Sequence, residues 1–200
     1  MRALRRACRT TGACCSVVEP IDAELSLAGT HQQQNAALAV AAARTLVPAI
    51  SEDAIERGLT RLRWPGRFEV VKGGRIVLDG AHNGASAEAL VATLRAFARG
   101  RPVTLVVGVN RDKDARAVLR PLLALAHRVV ATQTAQNPRA LAAAELAKTC
   151  RRLGATSVVT QPDLRLALDD TQGVVCVTGS LTLVGQARDI LGLPTPEQLW

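Results

Sequence analysis

The sequence predicts an α/β fold, a Rossmann-like and mostly parallel sheet with helices on both faces. Beyond residue 60, short apolar runs alternate with amphipathic runs of helical spacing, as in proteins built from strand–helix–strand units. Residues 103–109 are almost entirely apolar, which is typical of a strand buried on both faces. Hydrophobic residues make up 48% and charged residues 21% of the 200-residue chain, a composition that suits a globular protein.

The basic N-terminal segment, residues 1–18, is predicted to form an amphipathic helix followed by a strand. Its sequence, MRALRRACRTTGACCSVV, contains four arginines and no acidic residue. Leu4, Ala7 and Cys8 have helical spacing, and CCSVV has the composition of a strand. A mitochondrial transit peptide has a similar composition, but no segment resembling a cleavage region follows. We therefore expect a cytoplasmic protein rather than a mitochondrial one.

Two more helices are predicted before residue 60. Residues 29–47 form an alanine-rich helix that Pro48 ends, because proline cannot continue the helical hydrogen bonds. Ser51 is predicted to cap a third helix that runs through Gly58. A single strand-like run is not a stable unit without a sheet to pack on. We therefore expect residues 1–59 to be the end of another domain and residues 60–200 to form a complete α/β domain.

The second domain is predicted to begin with a turn at Trp64-Pro65-Gly66 and two strands joined by a hairpin turn at residues 72–74. The predicted strands cover residues 68–71, 75–78, 103–109, 128–131, 157–160 and 174–178. Three of the predicted helices cover residues 112–126, 138–153 and 163–170. Two more are predicted from apolar residues at helical spacing. The first has Ala87, Leu90, Val91, Leu94 and Ala98, and the second has Leu181, Val184, Ala187 and Leu191.

The charge and the aromatic content of the sequence indicate which kind of ligand the protein binds. The net charge is +8, but the basic residues beyond the N-terminal segment are scattered and only 2% of residues are aromatic. This pattern favours a pocket for phosphate or carboxylate groups over nucleic-acid binding.

No apolar run approaches the ~18 residues of a membrane span. The five cysteines form no C-x-x-C pair and are predicted to be reduced, with Cys176 packed inside a strand.

Three polar clusters follow predicted strands: residues 79–83 (DGAHN), 108–114 (GVNRDKD) and 178–181 (TGSL). Open α/β sheets bind ligands beyond the carboxyl ends of their strands. If the strands are parallel, the three clusters share one edge of the sheet. Their common position makes a ligand site there more plausible than any one cluster does.

Each candidate residue in these clusters has a functional and a structural interpretation. Asp79 can accept hydrogen bonds from a ribose or help to hold a cation, or it can cap a turn. His82 can bind an anion or position a reacting group, or it can be structural. Lys113 can place a point charge against a phosphate or carboxylate, or it can be a solvated helix end. Ser180 can donate to an anion at a helix N-terminus, or it can be an ordinary N-cap.

Two further candidates lie before these clusters. Arg67 follows a rigid turn, where its planar fork suits phosphate oxygens, although a surface arginine is the plain alternative. Asn35 and the glutamines beside it can contact a base edge or cover a polar helix face. The 200 residues contain no G-x-x-x-x-G-K-[ST] and no G-x-G-x-x-G, and no Ser-His-Asp or zinc-ligand spacing, so we predict no metal site.

Six segments occur in an order that resembles one family: GTHQQQNAALAVAAA, WPGRFEVV, LDGAHNGASAEAL, GVNRDKD, PRAL and VTGSLTLVG. They resemble the C-terminal portion of the folylpolyglutamate synthase/dihydrofolate synthase family, in the Mur ligase superfamily. The resemblance covers residues 24–185. It departs from the family at Gly84, where the family usually has proline after the His-Asn pair.

The resemblance implies an ATP-dependent ligase. In this family ATP phosphorylates a folate or pteroate carboxylate, and the amine of glutamate attacks the acyl phosphate to give an amide, ADP and phosphate, with Mg²⁺ bridging the phosphates. By motif, Asn35 approaches the adenine, Arg67 the terminal phosphates and Asp79 the ribose. His82, Lys113 and Ser180 line the side of the incoming glutamate, and His82 and Lys113 are the expected catalytic residues. A monomer is expected.

One departure from the family is large. Its N-terminal ATPase domain carries a P-loop and the magnesium ligands, and the resemblance places residues 1–59 in only the last part of that domain and residues 60–200 in the glutamate-ligase domain. We therefore expect the chain alone not to catalyse ligation at a useful rate. Two alternatives remain: a non-catalytic or partner-dependent binding module, and a Mur-type cell-wall amino-acid ligase domain.

Overall fold

The structure, a computed structural model, describes residues 2–135, 137–169, 171 and 173–194. The chain divides into two compact units. The first, here called the helical unit, comprises Met1–Ser26 and Thr30–Leu62. The second, here called the sheet unit, comprises Leu27–Gly29 and Arg63–Trp200.

The helical unit contains three helices: α1 (Arg2–Thr11), α2 (His31–Leu46) and α3 (Glu52–Arg61). All three were predicted, and Ser51 caps α3 by accepting a hydrogen bond from the Ala54 N–H at 3.2 Å. The strand predicted at CCSVV is wrong, because residues 14–18 form no strand. Strand composition alone does not make a strand where no neighbouring strand supplies hydrogen bonds.

The loop before α2 in the helical unit is held mainly by glutamine side chains. Gln33 accepts a hydrogen bond from the Ala23 N–H at 3.3 Å and donates one to the Ala23 carbonyl at 3.0 Å. Gln34 donates to the Val18 carbonyl at 3.1 Å. These contacts with the backbone favour the structural interpretation of the two glutamines over contact with a base.

The sheet unit contains six strands in the order β1-β2-β6-β3-β4-β5. Their bounds are β1 (Glu69–Val71), β2 (Ile76–Leu78), β3 (Val103–Val107), β4 (Arg128–Ala131), β5 (Val158–Thr160) and β6 (Val174–Thr178). Only β1 is antiparallel to its neighbour, and the other strands are parallel. The predicted mostly parallel sheet is therefore confirmed.

Helices cover both faces of this sheet. They are α4 (Gly84–Ala98), α5 (Ala115–Leu123), α6 (Ala143–Arg152), α7 (Leu164–Asp169) and α8 (Leu181–Ile190). Along β6, Val174 and Cys176 pack in one apolar cluster with α4, α5 and α6, whereas Val175 and Val177 pack in a second with α7 and α8. Successive strand residues point to opposite faces, so the two clusters lie on opposite sides of the sheet. No helix in the described ranges is long and apolar enough to cross a membrane.

Two helix predictions need correction. The helix predicted at residues 138–153 begins only at Ala143, because the residues before it pair with the segment after β3: the Leu141 N–H donates to the Val109 carbonyl and the Arg111 N–H to the Arg139 carbonyl. In α8 the predicted apolar position Leu181 is 61% exposed, and Leu183 is buried instead. Leu181 is the first residue of α8, and its side chain lies against Gly80 rather than in the apolar cluster under the helix.

Two of the five free cysteines are buried, Cys150 in α6 and Cys176 in β6, as predicted for Cys176. Burial raises the pKa of the Cys176 thiol far above its usual range. Burial also raises the pKa of the Cys150 thiol from 9.0 to about 11. Both thiols are therefore held neutral in the folded protein.

The buried Cys150 thiol predicts a loss of stability in base. The folded pKa is the higher one, so the contribution of the neutral thiol is complete below pH 9.0 and is lost as the pH rises toward about 11. Urea unfolding across this window measures how the free energy of unfolding falls as the pH rises. In Cys150→Ala this fall should be shallower by about 1.4 kcal/mol per pH unit. Cys14→Ala, at an exposed position, should leave the slope unchanged. An equal slope in Cys150→Ala and the unaltered chain would contradict the assignment.

Candidate functional site

The ends of three neighbouring strands bring the predicted clusters to one edge of the sheet unit. Beyond β2 the Asp79 N–H donates to the Val177 carbonyl at 3.0 Å. Beyond β3 the Gly108 N–H donates to the Thr178 carbonyl at 3.2 Å, and beyond β6 the Gly179 N–H donates to the Ala81 carbonyl at 2.9 Å. We call this edge, formed by residues 79–83, 108–114, 132–135, 137–142 and 178–182, the strand-end rim. The prediction that the three clusters share one edge is confirmed.

The predicted turn before β1 presents Arg67 to solvent. The Arg67 N–H donates to the Trp64 carbonyl at 3.1 Å, and Gly66 has a φ of +72°, as a type II turn with proline at its second position requires. The Gly66 carbonyl accepts from the Gly80 N–H at 2.8 Å, which ties the turn to the rim. Arg67 itself is exposed. The planar guanidinium of Arg67, carried on this fixed turn, remains compatible with the predicted phosphate contact.

Asp79 joins this turn to the loop that carries His82. Its Oδ2 accepts from the Phe68 N–H at 2.8 Å, and its Oδ1 accepts from the Ala81 N–H at 2.9 Å. Phe68 has a left-handed φ of 45°, which few residues adopt without support. The turn-capping interpretation of Asp79 is therefore correct. The ribose contact that the resemblance implies for Asp79 stays a prediction.

Asp79→Ala is expected to destabilise the chain by about 2–4 kcal/mol, because it leaves two partly buried N–H groups without an acceptor. Asp163 is a matched control, since its carboxylate also accepts from two backbone N–H groups, those of Arg165 and Leu166, at an exposed position. Asp163→Ala should cost only about 1 kcal/mol. Denaturant unfolding measures both values, and equal losses would argue against a special role for Asp79.

The ring of His82 has a defined orientation at the start of α4. Its Nδ1 lies 2.8 Å from the Gly80 carbonyl oxygen. A carbonyl oxygen only accepts hydrogen bonds, so Nδ1 carries a proton and Nε2 is the acceptor of the neutral ring. Asn83 and Ser86 form a capping box at this helix start, and the Ser86 hydroxyl also accepts from the His82 N–H at 3.1 Å. The half-buried imidazole can therefore offer Nε2 to a ligand.

Lys113 is exposed on the loop after β3. The Lys113 Nζ lies 3.3 Å from Asp112 Oδ2. The backbone N–H of Lys113 donates to the backbone carbonyl of Asn110 at 3.1 Å. The hydrogen bond from Lys113 lowers the pKa of the Asp112 carboxyl. Both side chains are partly exposed, so this pair is weak and the ammonium can turn to another anion.

Ser180 stands at the N-cap position of α8 but does not cap it. Its side chain makes no cap hydrogen bond, and its Oγ instead lies 2.7 Å from Thr182 Oγ1. The residue is only 2% exposed. The ordinary N-cap interpretation is therefore wrong for the hydroxyl, which lies at the rim.

Asn35 lies in the helical unit, exposed on α2, where its Nδ2 donates to the buried Gln32 Oε1 at 2.9 Å. Its predicted contact with an adenine stays a prediction. Among residues 2–135, 137–169, 171 and 173–194, no three His, Cys, Asp or Glu side chains are grouped so as to hold a metal ion.

Two supporting groups at the site were not predicted from the sequence. Glu69 accepts a hydrogen bond from the Gly66 N–H at 2.8 Å through Oε2, while its Oε1 contacts the buried guanidinium of Arg188. Asn137 contacts both Asn110 and Thr182 at the rim. Neither group follows a periodic pattern, but the position of Asn137 after a parallel strand was a usable signal.

Known proteins match both the sequence and the fold. The family described as Mur ligase, glutamate ligase domain, matches residues 66–181. A Haloferax volcanii protein named "Probable bifunctional folylpolyglutamate synthase/dihydropteroate synthase" is 37% identical over 177 residues, which cover 85% of this chain and 21% of that protein. The Bacillus subtilis dihydrofolate synthase/folylpolyglutamate synthase is 32% identical over 176 residues, which cover 84% of this chain and 40% of that protein.

A crystal structure of Mycobacterium tuberculosis folylpolyglutamate synthase complexed with ADP and AMPPCP superimposes with a TM-score of 0.79 at 32% identity, covering 86% of this chain and 42% of that chain. The chain thus spans between about a fifth and two fifths of the length of these relatives. The family match includes Arg67, the rim residues His82 and Lys113, and Ser180. The chain belongs to the Mur ligase family, through its glutamate ligase domain, and the relatives named above are folylpolyglutamate and dihydrofolate synthases.

Proposed function

We propose that the chain supplies the glutamate side of an ATP-dependent amide ligase that joins glutamate to a folate or pteroate carboxylate. The observation that carries the proposal is the strand-end rim, where residues of three neighbouring strand ends provide an ammonium, a buried hydroxyl and an oriented imidazole. These groups suit an incoming amino acid with carboxylates and an amine. The family's match across residues 66–181 supports the same chemistry.

The proposed reaction has two steps. The carboxylate of the folate or pteroate takes the terminal phosphoryl group of ATP, which gives an acyl phosphate and ADP. The amine of glutamate then attacks the acyl carbon, phosphate leaves, and the amine loses a proton. Catalysis of this kind depends mainly on positioning and charge neutralisation.

Each candidate residue takes a role that its surroundings permit. Lys113 and Ser180 bind the carboxylate of glutamate, by charge and by hydrogen bond respectively. His82 positions the amine through Nε2, because its Nδ1 is already occupied by the Gly80 carbonyl. Arg67 contacts the terminal phosphates and Asp79 the ribose. Asn35 contacts the adenine.

The phosphate cradle is proposed to come from residues outside these 200. The sequence contains no G-x-x-x-x-G-K-[ST] motif, and the described residues include no metal-binding group, so none of them is assigned to Mg²⁺. The chain with ATP, glutamate and a pteroate or folate is therefore expected to release no ADP steadily. Steady release by the purified chain would contradict the need for an outside P-loop.

One observation favours a partner-dependent form of this function. Among the described residues 2–62 only Gln32, Ala36 and Ala37 are buried. Leu38, Leu46 and Val47 are each more than half exposed. Exposed apolar side chains of this kind suit contact with further protein that carries the P-loop. Pull-down of a P-loop protein that loses binding in Leu46→Asp would support this form, and unchanged binding would argue against it.

The glutamate site is tested by titrating the ¹⁵N-labelled chain with L-glutamate and following amide shifts by NMR. We expect shifts in residues 79–83, 108–114 and 178–182, and a weaker affinity in Lys113→Ala and Ser180→Ala. Lys148→Ala, which removes an ammonium from α6, is the control for non-specific charge. Absence of shifts at the rim, or equal affinity in Lys113→Ala, would overturn the proposal.

A further inference from the structure

Asn137 links two turns of the strand-end rim. Its Nδ2 donates to Asn110 Oδ1 at 3.1 Å, in the segment after β3, and to Thr182 Oγ1 at 3.2 Å, in the first turn of α8. Its Oδ1 accepts from the Arg139 N–H at 3.0 Å. A backbone N–H can donate only to the oxygen of the Asn137 side-chain amide. The contact with Arg139 therefore places Oδ1 on that side, and Nδ2 faces Asn110 and Thr182.

Each partner of Asn137 belongs to a turn that carries a residue of the proposed glutamate site. The Asn110 carbonyl accepts from the Lys113 N–H at 3.1 Å and so closes the turn that carries the ammonium. Thr182 Oγ1 lies 2.7 Å from the hydroxyl of Ser180. The half-buried Asn137 therefore connects the Lys113 turn to the Ser180 hydroxyl through side-chain hydrogen bonds alone.

The direction of these hydrogen bonds determines what Ser180 can do. An amide Nδ2 only donates, so Thr182 Oγ1 is its acceptor. A hydroxyl that accepts one hydrogen bond is a better donor, because hydrogen bonds in a chain polarise one another. The contact between Thr182 Oγ1 and Ser180 Oγ permits either hydroxyl to donate. With Thr182 as the donor, the proton of Ser180 is left to donate to a ligand anion.

We propose that Asn137 and Thr182 are positioning residues for the carboxylate of glutamate: Asn137 holds the Lys113 turn, and Thr182 orients the Ser180 hydroxyl as a donor. This inference rests on the proposed function for the identity of the ligand. Neither residue touches the substrate. Both act through residues that do.

The test compares variants that keep or remove single hydrogen bonds. Thr182 is exposed, so Thr182→Val and Thr182→Ser should both keep the melting temperature of the chain. In an L-glutamate titration, Thr182→Val is expected to bind about 3- to 10-fold more weakly, the effect of one hydrogen bond, whereas Thr182→Ser keeps the affinity. Asn137→Asp, which loses the Nδ2 donor, should weaken binding at least as much.

Gln186→Ala is the matched control, because its Oε1 accepts from the Ala135 N–H at 3.0 Å in the loop that carries Asn137, yet it contacts neither Lys113 nor Ser180. It should leave glutamate affinity unchanged. Equal affinity in Thr182→Val and Thr182→Ser would overturn the inference. A loss of glutamate affinity in Gln186→Ala as large as the loss in Asn137→Asp would also overturn the inference.

A second readout separates this inference from the proposed function. Without ligand, Asn137→Asp should speed amide hydrogen exchange in residues 110–113 and 180–182, and Gln186→Ala should not. If the unaltered chain binds no L-glutamate, the proposed function fails, and exchange still decides whether Asn137 joins the two turns. Unchanged exchange in Asn137→Asp would overturn the link whether or not glutamate binds.

Discussion

A chain shortened to residues 63–200 is expected to unfold cooperatively near the melting temperature of the full chain, whereas a peptide of residues 1–62 is expected to show no cooperative transition. Every residue of the two apolar clusters lies in the sheet unit, from Phe68 onward. The clusters cover both faces of one sheet and need no residue of the helical unit. Circular dichroism during heating measures both transitions.

The helical unit lacks the apolar burial that folding requires. Ala36 and Ala37 are the only buried apolar residues among the described residues 2–62. Ordering the backbone costs about 1–2 kcal/mol per residue, and apolar burial returns only about 25 cal/mol per Å². Two alanines cannot offset the ordering of three helices. A cooperative transition in the peptide, or an unfolded chain of residues 63–200, would contradict this division of stability.

Gly179→Ala is expected to have the largest effect of any single substitution at the rim. Gly179 has a φ of +100°, and an added Cβ would lie 2.6 Å from the Gly108 carbonyl oxygen and 3.1 Å from Val107 Cγ2. The carbonyl belongs to the backbone directly after β3, which is Val103–Val107, and cannot move like a flexible side chain. The left-handed conformation and the overlap together should cost about 3–5 kcal/mol. Ser180 would be displaced, so affinity for glutamate should fall as well.

Gly154→Ala separates the two causes. Gly154 has nearly the same φ, +97°, but no atom lies within 4 Å of an added Cβ. Its substitution should therefore cost only the conformational part, about 1–2 kcal/mol. The free energy of unfolding in denaturant measures both. If the two alanines cost the same, the close approach of Gly179 to the Gly108 carbonyl is not what requires glycine there.

The sheet could be predicted because its signals are strong and local. Runs such as β3 and β6 are apolar throughout, and the parallel order follows from alternation with helices, which places the carboxyl ends at one edge. Together with the polar composition of the clusters, this rule led to the prediction that Asp79, Lys113 and Ser180 lie at one edge of the sheet. The strand predicted at CCSVV failed, because strand formation depends on a neighbour that residue composition does not reveal.

The contacts that support the site could not be predicted, because they join residues far apart in sequence. Asp79 accepts from the N–H of Phe68 across a hairpin, and Arg188 reaches Glu69 from the end of α8. Asn137 precedes a helix in a polar segment, and nothing in its local sequence points to Thr182. Such tertiary hydrogen bonds depend on the register of the sheet, which the sequence pattern specifies only approximately.

The most direct test of the glutamate-side assignment is ATP- and glutamate-dependent ADP release by a chimera. Residues 63–200 replace the corresponding C-terminal part of the Bacillus subtilis relative, which keeps its own N-terminal part. The chimera is expected to release ADP with a pteroate or folate acceptor, and His82→Ala within the grafted part should slow release by about 100-fold or more. A chimera that melts cooperatively but releases no ADP, or one whose rate His82→Ala leaves unchanged, would contradict the assignment of the strand-end rim to glutamate.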